Sequence, residues 1–168
     1  MQRLRAAFLT VGGLGHAPIA SGTFGSLPPV CLAFLLVQFG QQGIVLELSM
    51  LLLLVIFSVA CLRFGRESEE LFGRKDPGQV VADEVAGQAI ALLWLPWAAP
   101  DSPGALARNL SIAVASFLAF RLFDIVKPPP ARGLQRLGGG LGILIDDLIA
   151  GAMALAVVQI LFRFVLVA

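Results

Sequence analysis

Residues 44–62, IVLELSMLLLLVIFSVACL, form an apolar run of 19 residues that contains a single charge, Glu47. Such a run is typical of a helix that crosses the hydrocarbon core of a bilayer, which takes about 20 residues. Of the 168 residues in the chain, 58% are hydrophobic and 14% are charged, whereas a soluble domain has about 45–50% apolar and about 25% charged residues. The composition therefore predicts an integral membrane protein, and the length suits one domain over residues 1–168.

Four more apolar segments predict, with this run, a compact all-α membrane bundle of about five hydrophobic helices. The segments are residues 27–39, 80–97, 105–126 and 142–167. The first begins with Pro28-Pro29, which suit the first turn of a helix. It has about a dozen residues, fewer than a crossing needs. We expect it to be tilted, re-entrant, or one half of a hairpin that turns at residues 40–43.

The basic residues are divided unequally between the two ends of this bundle. If the N-terminus is cytoplasmic, only Arg108 and Arg163 lie on the outer side. The inner side then holds Arg3, Arg5, Arg63, Arg66, Arg74, Lys75, Arg121, Lys127, Arg132 and Arg136. An excess of Lys and Arg marks the cytoplasmic side of membrane proteins. Trp94 and Trp97 then lie at the outer interface, where tryptophan is enriched.

Five acidic residues are expected at the cytoplasmic ends of three of these helices. Asp83 and Glu84 open the third segment, Asp124 closes the fourth, and Asp146 and Asp147 open the fifth. Acidic residues in or near a membrane are functional candidates by default. The alternative is that they cap helix starts, where the helix dipole favours negative charge. Capping accounts for one acid per helix, not for two adjacent acids.

A shared metal site is the interpretation that these acids favour. Asp83 and Asp147 are each followed four residues later by glycine, at Gly87 and Gly151, on the same helix face. Small residues let helices approach closely in a membrane, which would bring the carboxylates together. Carboxylates without His or Cys suit a hard cation such as Mg²⁺. Asp83, Glu84, Asp146 and Asp147 are the predicted metal ligands.

Two further clusters are candidates for phosphate binding. Arg121, Asp124 and Lys127 share one end of the fourth helix. In one interpretation Asp124 joins the metal site while Arg121 and Lys127 bind a phosphate, for which Arg offers a bidentate fork. In the other, Arg121 forms an ion pair with Asp124 and Lys127 is a positive-inside anchor. The spacing alone does not decide between these. The glycine-rich stretch 22–26 precedes the first apolar helix and could present backbone N–H groups to an anion.

Several functions are excluded by the composition. The net charge is +1 and no Lys/Arg stripe is present, so we predict no nucleic-acid partner. The glycine-rich stretch has no Walker lysine, so nucleotide binding is not supported. His16 is the only histidine, which excludes a His-based zinc site. Its role is open between a general acid and an ordinary loop residue.

Four motifs together resemble the bacterial phosphatidylglycerophosphatase A family. They are Thr-x-Gly-Ser at 23–26, Asp-Glu-x-x-Gly at 83–87, Phe-Arg-x-x-Asp-x-x-Lys-Pro at 120–128 and Gly-x-x-x-Asp-Asp-x-x-Ala-Gly at 142–151. The resemblance runs over about residues 10–160. It implies an all-helical, multi-pass, Mg²⁺-dependent phosphatase of the bacterial inner membrane. The phospholipid substrate would be phosphatidylglycerophosphate, and phosphatidylglycerol the product.

The resemblance implies that the functionally important positions of the family correspond here to Thr23, Asp83, Glu84, Arg121, Asp124, Lys127, Asp146 and Asp147. We assign their roles from chemistry. Asp83, Glu84, Asp146 and Asp147 hold Mg²⁺ for attack by water, and Asp124 completes the metal shell or acts as general base. Arg121 and Lys127 neutralise charge on the phosphoryl group. Thr23, Gly25 and Ser26 close over the phosphate. The active site is then expected to face the cytoplasm.

Two rival functions remain. One is another lipid-headgroup phosphatase of the polyprenyl pyrophosphate type, which would also use acids and Arg with a divalent ion. The other is a small ion-coupled transporter, which should carry its acids near the middle of its helices rather than at one end. A CDP-alcohol phosphotransferase is excluded, because its Asp-Gly-x-x-Ala-Arg run is absent. The sequence does not determine the oligomeric state.

Overall fold

A computed structural model describes residues 2–73, 77–129 and 139–166, and within these ranges the protein is all-helical. Arg74, Lys75, Arg132 and Arg136, which are predicted on the cytoplasmic side, lie outside the described residues. A short 3₁₀ turn, Leu14–His16, follows the first helix, and a π-helical turn, Leu161–Val165, ends the last. The α-helices are α1 (Gln2–Leu9), α2 (Ser21–Gln38), α3 (Ile44–Phe72), α4 (Ala82–Ala91), α5 (Ala105–Val126) and α6 (Gly139–Ile160).

Four of these helices are long and apolar enough to cross a membrane. The spans are Ser21–Gln38, Ile44–Ser68, Ala105–Val126 and Gly140–Val165. On α3, an exposed apolar stripe recurs every three or four residues, at Leu48, Leu52, Val55, Val59 and Leu62. The opposite face is buried in the bundle, where Leu46, Met50 and Cys61 have no exposed surface. This helix therefore has one face for lipid and one for protein.

The first apolar helix begins earlier than predicted. It starts at Ser21 rather than at residue 27, so Pro28 and Pro29 lie inside the helix. The glycine-rich stretch 22–26, predicted to precede this helix, forms its first two turns. Tertiary packing explains the difference, because Gly22 and Gly25 are buried against neighbouring helices. The resulting helix has 18 residues.

The third apolar segment is not the continuous helix that residues 80–97 predict. Helix α4 has 10 residues and ends at Ala91, a length of about 15 Å, which is half of the hydrocarbon core. The chain then turns at Trp94, which has a positive φ of 52°. Pro96 disfavours a return to helix at Leu95, because proline disfavours helical geometry in the residue before it. The bundle therefore has four membrane-length helices around a short one.

The turn at Trp94 is tied to the ends of two long helices. The Trp94 N–H donates to both carboxylate oxygens of Glu47, at 3.1 and 3.2 Å. The Trp94 carbonyl accepts from Gln159 Nε2 at 2.7 Å and from Arg163 Nη2 at 2.8 Å. Glu47 thus holds the chain that follows α4. These contacts lie at the end of α3 and α6 remote from the acidic residues.

Helix α4 fits into the bundle because glycines allow close contact. A Cβ on Gly87 would lie 2.5 Å from the Asp147 carbonyl oxygen and 2.6 Å from the Phe120 ring, and one on Gly151 would overlap the Gly87 carbonyl. The close approach that the Asp-x-x-x-Gly spacing predicts is therefore present between α4 and α6. A third glycine, Gly140, packs in the same way against the carbonyl of Cys61 on α3.

The last helix also begins earlier than predicted. It starts at Gly139 rather than at residue 142. Asp146 and Asp147 are its eighth and ninth residues, so they lie two turns inside the helix and do not open it. Both are buried, with 3% and 2% of their surface exposed. The acids of α6 therefore lie deeper in the bundle than helix-capping residues would.

Candidate active site

Three carboxylates from two helices meet at one point. Asp83 and Glu84 lie in the first turn of α4, and Asp147 projects from α6. Each offers an oxygen atom, and these three atoms lie within 4.8 Å of one another. The positive end of the α4 dipole favours negative charge at this position. Glycines 87 and 151, one turn further along each helix, bring the two helix faces close enough for this contact.

The first turn of α4 is fixed by its neighbours. Val81, which precedes the helix, donates its N–H to the Leu9 carbonyl at 2.9 Å. Gly25 of α2 packs on the other side of Val81, where a Cβ would lie 2.6 Å from the Val81 Cβ. Asp83 and Glu84 therefore start from a backbone that is held by both α1 and α2. Gly25, predicted to bind phosphate, here provides the close approach of α2 to α4.

Arg121 and Asp124 form an ion pair beside this cluster. The Nη1 atom of Arg121 lies 2.7 Å from Oδ2 of Asp124, and both side chains are mostly buried. The Nε atom of Arg121 is buried without a hydrogen-bond partner. The Arg121–Asp124 ion pair of the second interpretation is therefore present. It does not exclude phosphate binding, because the guanidinium has five N–H donors.

Gly22 connects the ion pair to the carboxylates. A Cβ at this position would overlap Oε1 of Glu84 and lie 2.9 Å from Nη1 of Arg121. The first turn of α2 therefore lies against both charged groups. This role was missed from the sequence, although the glycine adjoins Thr23 in the motif that points to this site. Only glycine leaves room for the two side chains to meet here.

Lys127 and Asp146 form a second pair. The ammonium of Lys127 donates to Oδ2 of Asp146. Lys127 caps α5 in the left-handed region, with φ of 47°, and its N–H donates to the Phe123 carbonyl at 2.8 Å. A non-glycine residue rarely adopts this conformation. It ends α5 at the site, where the side chain of Lys127 reaches α6.

Burial and neighbouring charges shift the pKa values of two groups at this site, Glu84 and Lys127. The pKa of Glu84 is raised to about 8, mainly by burial and further by the carboxylates of Asp147 and Asp124, while the hydrogen bond with Asp83 and the charge of Arg121 lower it. Burial lowers the pKa of Lys127, but Asp146 and the other nearby carboxylates outweigh burial and raise it above its ordinary value. The part of the rise in the pKa of Glu84 that comes from Asp147 and Asp124 reflects repulsion between neighbouring carboxylates, which a cation would relieve.

The carboxylate cluster fits a divalent cation. Two oxygens on opposite sides of an octahedral Mg²⁺ are about 4.2 Å apart, which is compatible with the grouping of Asp83, Glu84 and Asp147. Oε2 of Glu84 and Oδ2 of Asp147 are buried and have no hydrogen-bond partner. Buried polar atoms without partners call for an explanation such as a bound ion. All three carboxylates offer hard oxygen donors, as Mg²⁺ prefers.

Three residues that the sequence analysis singled out, Thr23, Ser26 and His16, do not belong to the carboxylate cluster. Thr23 is half-buried in the first turn of α2, next to Gly22. Ser26 is buried, and its hydroxyl donates to the Gly22 carbonyl at 2.8 Å, so this hydroxyl is already engaged with its own helix. His16 is exposed, in the loop before α2. It lies outside the carboxylate cluster.

The model of the phosphatidylglycerophosphatase A family matches residues 7–162. The chain belongs to this family. The match includes every residue of the site, from Gly22 to Asp147. It confirms the resemblance that the four motifs carry.

Three curated relatives are similar to this chain along most of their length. The chain is 32% identical over 148 residues to a phosphatidylglycerophosphatase A of Escherichia coli, covering 87% of this chain and 77% of that protein. It is 33% identical over 156 residues to the Haemophilus influenzae protein of the same name, covering 89% and 84%. A Bacteroides thetaiotaomicron protein, named as a candidate phosphatidylinositol-3-phosphatase, is 32% identical over 148 residues, covering 88% and 87%. No solved structure gives a significant match.

Proposed function

We propose that the protein hydrolyses the terminal phosphate monoester of phosphatidylglycerophosphate, giving phosphatidylglycerol and inorganic phosphate. The observation that carries the proposal is the grouping of three carboxylates beside two partly buried cations, Arg121 and Lys127, in a chain of the phosphatidylglycerophosphatase A family. Carboxylates hold a divalent cation, and Arg and Lys hold the phosphate. Both are needed to stabilise phosphoryl transfer.

The metal is proposed to be Mg²⁺, held by Asp83, Glu84 and Asp147. Mg²⁺ at this position supplies Lewis-acid polarisation of the phosphoryl group and makes water a better nucleophile. The protein contributes a fixed set of oxygens, since α4 and α6 pack without space between them at Gly87 and Gly151. Burial of the acids keeps bulk water from competing for them. The rival polyprenyl pyrophosphate phosphatase and transporter receive no support from the family match.

The two ion pairs are proposed to orient the phosphate ligands. Asp124 fixes one edge of the Arg121 guanidinium, and the remaining N–H groups are left to bind phosphoryl oxygens. Asp146 holds Lys127 in the same way. We infer that Asp146 positions Lys127 and that Asp147 is the metal ligand of α6. Asp124, which also lies close enough to Glu84 to affect its pKa, is the candidate general base.

We further propose that the site faces the cytoplasm of a bacterial inner membrane. The support is the unequal distribution of basic residues in the sequence. The acids and Arg121 lie at one end of the bundle, and Arg108 and Arg163 lie at the other. A lipid phosphate lies just outside the hydrocarbon, so it can reach a site at the end of a bundle.

Phosphatidylinositol 3-phosphate is a second candidate substrate, because the Bacteroides thetaiotaomicron relative is named for its hydrolysis. Both lipids carry a phosphate monoester on an alcohol headgroup, so the same cluster could act on either. The experiment offers each lipid in detergent micelles with Mg²⁺ and measures phosphate release and the lipid product. We expect faster release from phosphatidylglycerophosphate. Faster release from phosphatidylinositol 3-phosphate would reassign the substrate.

A further inference from the structure

A cavity of about 350 Å³ lies between the loop that precedes α2 and the turn that precedes α4. Residues 15–18, 20–21 and 78–79 line it. None of them is a proposed ligand of metal or phosphate. At about 30 Å³ for each water molecule, the volume equals about a dozen waters, which is enough for a small polar group.

The walls of this cavity are held in place. The hydroxyl of Ser21 donates to the Gly78 carbonyl at 2.6 Å. Gly15 packs so closely on the Gln79 carbonyl that a Cβ on Gly15 would overlap it. Ala20 adopts a left-handed φ of 53°, which turns the loop into α2. Contacts of this kind preform a binding site, as is usual for small-ligand pockets.

The cavity adjoins the active site. Ser21 lines the cavity, and the next residue, Gly22, lies against Oε1 of Glu84 and the Arg121 guanidinium. On the opposite wall, Gln79 is followed four residues later by Asp83. Consecutive residues of one backbone segment, Ser21 and Gly22, therefore line the cavity and contact the charged groups of the site. The group that is esterified to a phosphate at the cluster can extend into this cavity.

The lining indicates what kind of group this space accepts. It contains no Asp, Glu, Lys or Arg. His16 is exposed and lines the cavity, and its imidazole has at least one N–H donor in either protonation state. A donor-bearing wall without carboxylates suits hydroxyl groups and anionic oxygens. It offers no countercharge to a cationic amine.

We propose that this cavity holds the alcohol headgroup of the lipid substrate, and that His16 is a specificity-determining residue that donates a hydrogen bond to a headgroup oxygen. The inference rests on the proposed function, since the headgroup belongs to the substrate of the adjoining site. In phosphatidylglycerophosphate, glycerol links the terminal phosphate to a phosphodiester. With the terminal phosphate at the cluster, the glycerol and the phosphodiester oxygens are the groups that reach the cavity.

The test compares KM and kcat for phosphatidylglycerophosphate in micelles, with KM expressed as a mole fraction of lipid. We expect His16→Ala to raise KM about tenfold with kcat within about twofold, because it removes a hydrogen bond that substrate and transition state share. His16→Gln keeps an N–H donor and should restore most of the affinity. Ala17→Trp fills the cavity and should raise KM further. Gln41→Ala, in the exposed turn between α2 and α3, is the matched control.

Melting temperatures establish that each variant is folded. An unchanged KM in folded His16→Ala overturns the role of His16, and an unchanged KM in folded Ala17→Trp overturns the headgroup pocket. A loss of kcat at constant KM also overturns the proposal. Failure of the wild type to release phosphate from phosphatidylglycerophosphate would instead contradict the proposed function. The same KM comparison is then made with phosphatidylinositol 3-phosphate.

Discussion

Two adjacent acids of α6 have different partners. Successive residues of an α-helix point about 100° apart, so Asp147 faces Asp83 and Glu84 while Asp146 faces Lys127. The sequence predicts both as metal ligands, because spacing alone does not distinguish neighbours in a helix whose partners are unknown. The two acids differ because Lys127 contacts Asp146, whereas Asp147 groups with Asp83 and Glu84. This difference supports the proposal that Asp147 holds the metal while Asp146 positions Lys127.

The first prediction concerns this division. Asp146→Asn should lower kcat/KM about 10- to 100-fold, as expected for a residue that supports a functional group rather than acting itself. The Mg²⁺ concentration that gives half-maximal activity should stay the same, because the carboxylate cluster is intact. Activity measured across a Mg²⁺ titration checks both quantities. A large rise in the Mg²⁺ requirement would place Asp146 among the metal ligands.

Arg121 is predicted to act through the geometry of its guanidinium. Arg121→Lys keeps the charge but loses the planar donor fork, so we expect kcat/KM to fall about 100-fold, in line with the loss of a transition-state donor. Arg108→Lys is the matched control. It lies at the other end of α5, where Arg108 donates to the Phe162 carbonyl. Equal activity of the two variants would remove Arg121 from the mechanism.

At the scale of elements, α4 determines how the site is assembled. Eight of its ten residues are buried, and its glycine contact with α6 brings the first turn of α4, with Asp83 and Glu84, beside Asp147 of α6. Hydrophobicity alone does not hold helices together in lipid, so close packing has to do so. The site therefore depends on the absence of side chains at Gly87 and Gly151.

Adding one methyl group at this contact should destabilise the protein. Gly151→Ala places a Cβ into the Gly87 carbonyl, and we expect a loss of about 1–3 kcal/mol from overpacking. Thermal unfolding in detergent, followed by circular dichroism, measures it. Ala152→Val adds methyl groups at the next, exposed residue and should leave the melting temperature nearly unchanged. A Gly151→Ala variant as stable as the wild type would contradict the close contact.

Some helix boundaries could be predicted from the sequence and others could not. The bounds of α5, residues 105–126, agree with the prediction because Gly104 and Pro128 give local stop signals. The start of α2 and the end of α4 depend on distant contacts. The need for glycine at position 22 follows from its contacts with Glu84 and Arg121, which are distant in sequence. The turn at Trp94 likewise depends on its hydrogen bonds with Glu47 and Gln159. The grouping of Asp83, Glu84 and Asp147 was predictable, since the glycine spacing is local.

At the scale of the whole molecule, the charged site and the tryptophan turn lie at opposite ends of the bundle. Arg121 and Lys127 end α5 and Arg108 lies in its first turn, so one helix connects the two ends. This separation agrees with the prediction that the acidic residues and the tryptophans lie at opposite surfaces of the membrane. A lipid phosphatase needs its charged groups at a membrane surface, and the long apolar helices set the distance between the two surfaces.

The predicted orientation can be tested by cysteine labelling. In a Cys31→Ser background, where the remaining Cys61 is buried, cysteine is introduced at Asp101 or at Arg63. We expect a membrane-impermeant maleimide to label Asp101→Cys in intact cells and Arg63→Cys only after the cells are opened, because Arg63 lies on the predicted cytoplasmic side. The opposite pattern would invert the protein and place its site outside the cytoplasm.

The most direct test of the account is the Mg²⁺ dependence of phosphate release from phosphatidylglycerophosphate. The wild type, Asp147→Asn and the matched control Asp101→Asn, which changes an exposed acid at the remote end, are each titrated with Mg²⁺ after treatment with EDTA. We expect activity in the wild type and the control to vanish with EDTA and to return with Mg²⁺, and Asp147→Asn to lose at least about 100-fold at every concentration. Release that persists in EDTA, or in folded Asp147→Asn, would contradict a metal site at Asp83, Glu84 and Asp147.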